Sequence, residues 1–69
     1  PPTLHEPLSE RELEVLRLLQ TNLTYREIGA QMYLSTNTVK SYVKNVYRKL
    51  DVDRRNGAVS AARGLGLLG

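Results

Sequence analysis

Apolar residues recur along this chain at spacings of three and four positions, the periodicity of α-helices that bury one face. Such stripes occupy about residues 9–20, 24–32, 35–50 and 54–64. In the third, the apolar residues fall within an arc of about 140° if each residue advances by roughly 100°; they are Val39, Tyr42, Val43, Val46, Tyr47 and Leu50. No segment alternates apolar and polar residues with a period of two, so no strand is predicted. The pattern predicts an all-α fold, a bundle of four helices over these ranges.

Three of the four stripes begin with residues that cap helices. Ser9 with Glu12, and Thr24 with Glu27, each form the pattern of a capping box, in which side chains and backbone amides at the helix start bond reciprocally. Ser35 stands immediately before the third stripe and can cap it. These signals predict where the first three helices begin.

Gly29 lies inside the short second helix, where glycine costs roughly 1 kcal/mol relative to alanine. A neighbouring helix that comes close at this point, as a tight turn between two helices requires, is one explanation. A plain flaw in the helix is the other. Gly29 alone does not decide between them.

Composition limits the chain to one small domain. It has 69 residues and no cysteine, and its one histidine, His5, lies in the Pro-rich start, where we interpret it as a solvated tail residue. There is no Ser/His/Asp set, metal-ligand spacing or phosphate-binding glycine loop, so we predict no enzyme activity, cofactor or metal site. No apolar run of ~20 residues and no secretory pattern occurs, so we expect a cytoplasmic protein without a membrane span.

Charge is distributed unevenly along the chain. Residues 1–27 carry five acidic and three basic side chains, a balance of −2, whereas residues 28–69 carry two acidic and seven basic ones, a balance of +5. The third helix contains Lys40, Lys44, Arg48 and Lys49 but no acidic residue. A solvated helix face usually mixes both signs, because oppositely charged neighbours support each other. The one-signed face therefore predicts a polyanionic partner, with a solvated basic face on a small bundle as the alternative.

A short helix, a tight turn and a longer helix with a cationic face can place that face in the major groove of double-stranded DNA. Lysine and arginine neutralise phosphates and donate to guanine O6 and N7. Asn37 and Ser41 offer smaller hydrogen-bonding groups near the helix start, where recognition helices contact base edges. Double-stranded DNA is thus the predicted partner.

The segments "LSERELEVLRLL", "LTYREIG", "LSTNTVKSYVKNVYRKLDV" and "GAV" resemble, in order and spacing, the LuxR-type helix-turn-helix DNA-binding domain of bacterial transcription regulators. The resemblance runs from about Leu8 to Leu68. It implies an isolated DNA-binding domain, residues 8–69, behind a linker or tail, residues 1–7. It also implies a cytoplasmic, nucleoid-associated protein, with RNA polymerase as a further partner.

The resemblance assigns roles to the third and fourth helices. The third helix reads the major groove in this family, with base contacts at Lys40, Ser41 and Lys44; Asn37 is added as a base contact because of its place near the helix start. Phosphate contacts fall at Thr36, Thr38, Tyr42, Asn45, Arg48 and Lys49. The fourth helix forms the dimer contact in this family, which here carries Ala58, Val59, Ala62 and Leu65.

The chain departs from the family pattern at several positions. Tyr42 replaces the usual histidine, and Asp51 replaces the glycine that leaves the third helix in a left-handed conformation. Arg54 replaces the usual capping residue of the fourth helix, which makes Asp53 the better candidate, and Gly57 replaces a helix-favouring residue. Because the changes at Asp51, Arg54 and Gly57 surround the start of the fourth helix, we expect weak dimerisation.

Two further interpretations remain. Region 4 of bacterial sigma factors shares "LTYREIG" and "TVKS" but typically ends soon after its recognition helix. A helical docking module with an acidic protein partner would also use a basic face. The tyrosines at positions 25, 33 and 47 are interpreted as partly buried core residues rather than as platforms for stacked bases.

Overall fold

A computed structural model describes residues 6–68 and contains four helices: α1 (Glu10–Leu19), α2 (Tyr25–Met32), α3 (Thr36–Leu50) and α4 (Arg55–Gly64). There is no strand among these residues. The predicted all-α fold and all four helices are confirmed, and each helix begins within one residue of its predicted start. His5 lies outside the described residues.

The helices begin where the capping residues predict. The Ser9 side chain accepts a hydrogen bond from the Glu12 amide at 3.2 Å, while the Ser9 amide donates to Glu12 Oε1 at 2.8 Å. Thr24 and Glu27 form the same reciprocal pair. Ser35 accepts from the amide three residues into α3. In each of the first three helices, the cap thereby satisfies one of the backbone donors that a helix start leaves open.

The start of α4 differs from the prediction. Arg54, not Asp53, occupies the cap position, and its side chain makes no capping hydrogen bond. The Asp53 carboxylate lies one residue too early to accept from the first turn, and its hydrogen bond joins it to Arg54 Nε at 3.4 Å. The prediction of an Asp53 cap is therefore wrong.

Helix α3 lies at the centre of the bundle, because it packs against each of the other three helices, and α1 also packs against α4. The core is apolar and draws on all four helices and the chain end that follows α4. Its buried residues are Val15, Leu16, Leu19, Ile28, Met32, Val39, Val43, Val46, Leu50, Ala58, Ala62 and Leu68. The predicted core stripe of α3 is confirmed, with its two tyrosines half-buried at the edge.

The turn between α2 and α3 explains Gly29. A Cβ atom at this position would lie 2.5 Å from the backbone oxygen of Leu34, closer than real Cβ contacts allow. The Leu34 amide also donates to the Gly29 oxygen at 2.8 Å. Between them, Tyr33 adopts a left-handed conformation with φ of 58°. The close approach required by a tight turn is thus the correct explanation of this glycine.

We predict that Gly29→Ala lowers the free energy of unfolding by about 1–2 kcal/mol, because the added methyl group displaces backbone and this outweighs its helix propensity. Gly57→Ala is the matched control, since its nearest contacts would lie at an ordinary 3.6 Å. That variant should be neutral or slightly stabilising. Urea unfolding of both variants measures the difference, and equal stabilities would contradict the steric explanation.

Arg55 joins α4 to the end of α1. Its guanidinium donates to the backbone oxygens of Leu19 and Thr21, each at 2.8 Å, and approaches Leu18 O at 3.4 Å. Carbonyl groups at a helix C-terminus lack partners within the helix and carry partial negative charge, so a cation is stabilising there. This link secures α4 even though its own start is uncapped.

The three tyrosines that the sequence assigns to the core, at positions 25, 33 and 47, divide into two groups. Tyr25 and Tyr47 are half-buried, and their hydroxyl oxygens lie 3.3 Å apart. Burial and the hydrogen bond to Tyr25 both raise the pKa of Tyr47, so the Tyr47 hydroxyl stays protonated and its contact with Tyr25 is structural. Tyr33 is 95% exposed, and its interpretation as a core residue is wrong. It lies on the left-handed turn, which directs it away from the bundle.

Candidate nucleic-acid interface

The outward side of α3 carries most of the predicted contact residues. The core side of this helix is occupied by its buried valines and Leu50. Seven of the ten predicted residues are exposed on the remaining surface: Asn37, Thr38, Lys40, Ser41, Lys44, Asn45 and Arg48. Thr36, Tyr42 and Lys49 are half-buried at its margins. We call the seven exposed residues the α3 outer face.

The middle of the α3 outer face is cationic and unneutralised. Lys40 and Lys44 are exposed, and within residues 6–68 neither forms an ion pair. Ser41, one helical turn from both Asn37 and Asn45, donates its hydroxyl to the Asn37 backbone oxygen at 3.3 Å. Its oxygen still has a free lone pair. Two ammonium groups and several amide and hydroxyl groups thus share a surface one helix wide.

The start of α3 is suited to negative charge. The first turns of α1 and α2 contain glutamates, whereas the first turn of α3 contains none. The N-terminal end of a helix carries partial positive charge and free amide donors. The hydroxyl oxygens of Ser35 and Thr38 lie 2.9 Å apart beside these donors and form a hydrogen bond. This end of the helix therefore presents donors without a competing carboxylate.

The last turn of α3 is different, because its two cations have partners within the chain. Arg48 Nη1 lies 2.8 Å from Glu6 Oε1, and both side chains remain more than half exposed. The hydrogen bond and charge of Arg48 lower the pKa of Glu6 below its usual value. Since the pair is exposed, it contributes little to stability and can exchange with other anions.

Lys49 is held more firmly. Its Nζ lies 2.7 Å from Glu12 Oε1 and 3.3 Å from the Pro7 backbone oxygen. The two side chains are only 13% and 6% exposed. Burial raises the pKa of Glu12, but hydrogen bonds from Lys49 and Ser9 outweigh that effect and lower it, so the carboxylate is ionised. Lys49 thus connects α3 to the start of α1 and presents little surface to a partner.

The predicted dimer contact is corrected by the burial of α4. Ala58 and Ala62 are 0% exposed, because both pack into the core of their own chain. They have no surface left for a second copy, and their assignment to a dimer contact is wrong. Val59 and Leu65 are half-buried and keep part of their surface.

Three features of the site were not predicted from the sequence. The sequence indicates Glu12 only as a capping residue, places Glu6 in a tail and indicates no role for Arg55. Each acts through a partner more than 30 positions away, as their contacts with Lys49, Arg48 and Leu19 show. The one sequence signal for these contacts is the acidic balance of residues 1–27 beside the basic balance of residues 28–69. Such a separation favours ion pairs between the two halves of the chain.

Among residues 6–68, no helix combines the length and the apolar character that crossing a bilayer requires.

Comparisons with known proteins agree with this geometry. Residues 6–62 match the family described as "Bacterial regulatory proteins, luxR family". The transcriptional regulatory protein LiaR of Bacillus subtilis is 45% identical over 60 residues, which cover 86% of this chain and 28% of LiaR. The fourth helix and this match favour the LuxR resemblance over region 4 of sigma factors.

Solved structures show the same architecture. The response regulator ChrA of a heme-sensing two-component system superposes with a TM-score of 0.87 at 38% identity, covering 99% of this chain and 33% of the ChrA chain. The transcription factor GerE superposes with a TM-score of 0.83 at 32% identity, covering 90% of this chain and 92% of that structure. The chain thus spans about a third or less of LiaR and of ChrA, and nearly the whole of GerE.

Proposed function

The chain belongs to the LuxR family of bacterial regulatory proteins, and on that basis we propose that it binds double-stranded DNA sequence-specifically, with α3 in the major groove. The observation that carries the proposal is the α3 outer face, which combines two unneutralised lysines with amide and hydroxyl groups. A major groove admits an α-helix and presents a distinct pattern of donors and acceptors for each base pair.

The proposed contacts divide by position along α3. Asn37, Lys40, Ser41 and Lys44 contact base edges, with the lysines donating to guanine O6 and N7. Phosphates are bound on both sides of this group by Thr36, Thr38, Tyr42, Asn45 and Arg48. Tyr42 is half-buried and offers its hydroxyl from the margin. We leave Lys49 out of the interface because Glu12 already holds it.

Arg48 can bind a phosphate if it gives up its ion pair with Glu6. Both side chains are exposed, so the exchange of a carboxylate for a phosphate needs no opening of the core. The contact should therefore release fewer counterions than an unpaired arginine would, since part of its charge is already neutralised within the chain.

We propose that the chain acts as the DNA-binding effector domain of a longer transcription regulator. Its share of LiaR and of ChrA supports this, since in each the matching region is one part of a larger protein. Such a regulator works in the bacterial cytoplasm, where the DNA lies, and RNA polymerase is the further partner expected at a promoter.

Selection from a library of random duplexes tests the proposed function. We expect repeated rounds to enrich one short sequence, because base contacts by four neighbouring side chains discriminate between base pairs. If the selection enriched no sequence and the chain bound heparin and duplex DNA equally well, the result would favour a basic face that does not discriminate between base pairs. The docking module with an acidic protein partner would then be the better explanation.

Pairing of two copies is proposed to occur mainly on DNA. With Ala58 and Ala62 in the core, the apolar surface of α4 and its C-terminal end is limited to the partly exposed side chains of Val59, Ala61 and Leu65. This area is far below the ~1,200 Å² of a stable interface. Two half-sites about one helical turn apart would hold two copies together and raise their effective concentration.

We expect sedimentation equilibrium to show a monomer at micromolar concentration, and a duplex with two half-sites to bind two copies cooperatively. A duplex with one half-site is the control and should bind one copy. A stable dimer in free solution, lost in Val59→Asp, would contradict the expectation and show that α4 pairs without DNA.

A further inference from the structure

Tyr33 combines two unusual features. It lies at the end of α2 with φ of 58° and ψ of 40°, the left-handed conformation that bulky side chains rarely adopt. Its side chain is also 95% exposed, which makes it the one large hydrophobic residue in residues 6–68 that the fold leaves in solvent. Glycine or asparagine would occupy this position with less strain. The tyrosine side chain thus lowers the stability of the fold and contributes no packing to it.

Strained residues that a fold retains without a packing role are frequently found at binding sites. The position of this turn indicates which site. Tyr33 precedes by only two residues the Ser35 cap that starts α3, the proposed recognition helix. The N-terminal residues of such a helix contact base edges, so the turn in front of it lies beside the DNA backbone at the edge of the groove.

On the basis of the proposed function, we propose that Tyr33 is a further DNA contact, whose hydroxyl donates to a backbone phosphate while its ring packs against the neighbouring sugar. Tyrosine hydroxyls are established donors to phosphate oxygens in protein–DNA interfaces. The proposed contact fixes the position of α3 in the groove and carries no sequence information itself.

The absence of charge distinguishes the Tyr33 contact from the lysine contacts. Tyrosine is neutral, so its contact with a phosphate displaces no condensed cation, and its removal should leave the dependence of affinity on salt unchanged. Its removal should also weaken binding to all sequences alike. A lysine contact with a base would instead alter the preference at one position.

The test uses the selected duplex with two variants, Tyr33→Gly and Tyr33→Phe. Tyr33→Gly relieves the left-handed strain, so it should raise the unfolding midpoint. It should weaken DNA binding by more than the roughly threefold to tenfold of one neutral hydrogen bond, because the ring contact is lost as well. Tyr33→Phe keeps the ring and removes the hydroxyl, and should lose part of that affinity. Neither variant should change the slope of log affinity against log salt.

Asp51→Gly is the matched control. Asp51 also has a positive φ, of 57°, and is exposed at the other end of α3. Its replacement should raise the unfolding midpoint without lowering the affinity for DNA. The contact would be supported if both variants gained stability but only Tyr33→Gly lost affinity for DNA.

Two outcomes overturn the proposal, and they are distinguishable. If the unaltered protein binds the selected duplex and Tyr33→Gly binds it equally well, Tyr33 is not a contact although the proposed function stands. If the unaltered protein does not discriminate the selected duplex from a scrambled one, the proposed function fails, and the contact fails with it.

Discussion

Replacing Lys49 with alanine is expected to lower the free energy of unfolding by roughly 2–3 kcal/mol, between the values of exposed and fully buried ion pairs. The loss comes from Glu12, whose carboxylate would stay in an almost closed site, 6% exposed, without its cation. Urea unfolding measures this change. DNA binding should keep its salt slope, because Lys49 is not proposed to meet a phosphate.

A double substitution separates the ion pair from the packing around it. Glutamine at position 12 keeps the oxygen that accepts from Ser9, so the capping box survives in Glu12→Gln. Combined with Lys49→Met, Glu12→Gln removes both charges. The double variant should be less destabilised than the sum of the two single variants predicts. A small stability change in Lys49→Ala, with a salt slope reduced by about 0.9, would instead identify Lys49 as a phosphate contact.

Replacing Lys44 with alanine is expected to weaken binding to the selected duplex by about 1–3 kcal/mol, which is roughly 5-fold to 150-fold. Lys44 is exposed at the middle of the α3 outer face, and within residues 6–68 it has no carboxylate partner, so its ammonium is available for a base. The preference at one base position should relax at the same time. Competition between duplexes that differ at single positions measures both effects.

Arg17→Ala provides the control for charge alone. Arg17 is exposed in the last turn of α1, so its removal lowers the net charge by the same amount without altering α3. We expect it to weaken binding only slightly and equally on all duplexes. If Lys44→Ala lowered the affinity for every sequence by one factor, Lys44 would be a phosphate contact and the base readout would lie elsewhere on the face.

The local features of this fold could be predicted because their causes are local. Ser9 and Glu12, or Thr24 and Glu27, are three residues apart, so the sequence shows both partners of each capping box. The apolar stripe of α3 likewise follows from the spacing of its own residues. The outward position of Lys40 and Lys44 is the necessary counterpart of that stripe.

Contacts between distant residues could not be predicted in the same way. Glu12 and Lys49 are separated by 37 positions, and no spacing rule shows that helix packing brings them within 2.7 Å. Periodicity also does not reveal what an apolar face packs against. Ala58 and Ala62 have the spacing of an interface, yet the surface they cover belongs to their own core.

The exposure of Tyr33 shows a third limit. A tyrosine between two helices is compatible with burial, and only the turn geometry reveals otherwise. The left-handed conformation at residue 33 follows from the close approach of Gly29 to Leu34, which is a property of the backbone path. Side-chain direction at such a turn depends on that path and not on the residue type.

The placement of α3 in the major groove is tested most directly by altering one groove of the selected duplex at a time. Replacing guanine by 7-deazaguanine removes the N7 acceptor from the major groove, whereas inosine removes the N2 amino group from the minor groove. We predict that 7-deazaguanine at one or two contacted positions weakens binding severalfold and that inosine at the same positions does not. Weakening by inosine but not by 7-deazaguanine would place the readout in the minor groove and contradict the proposed role of α3.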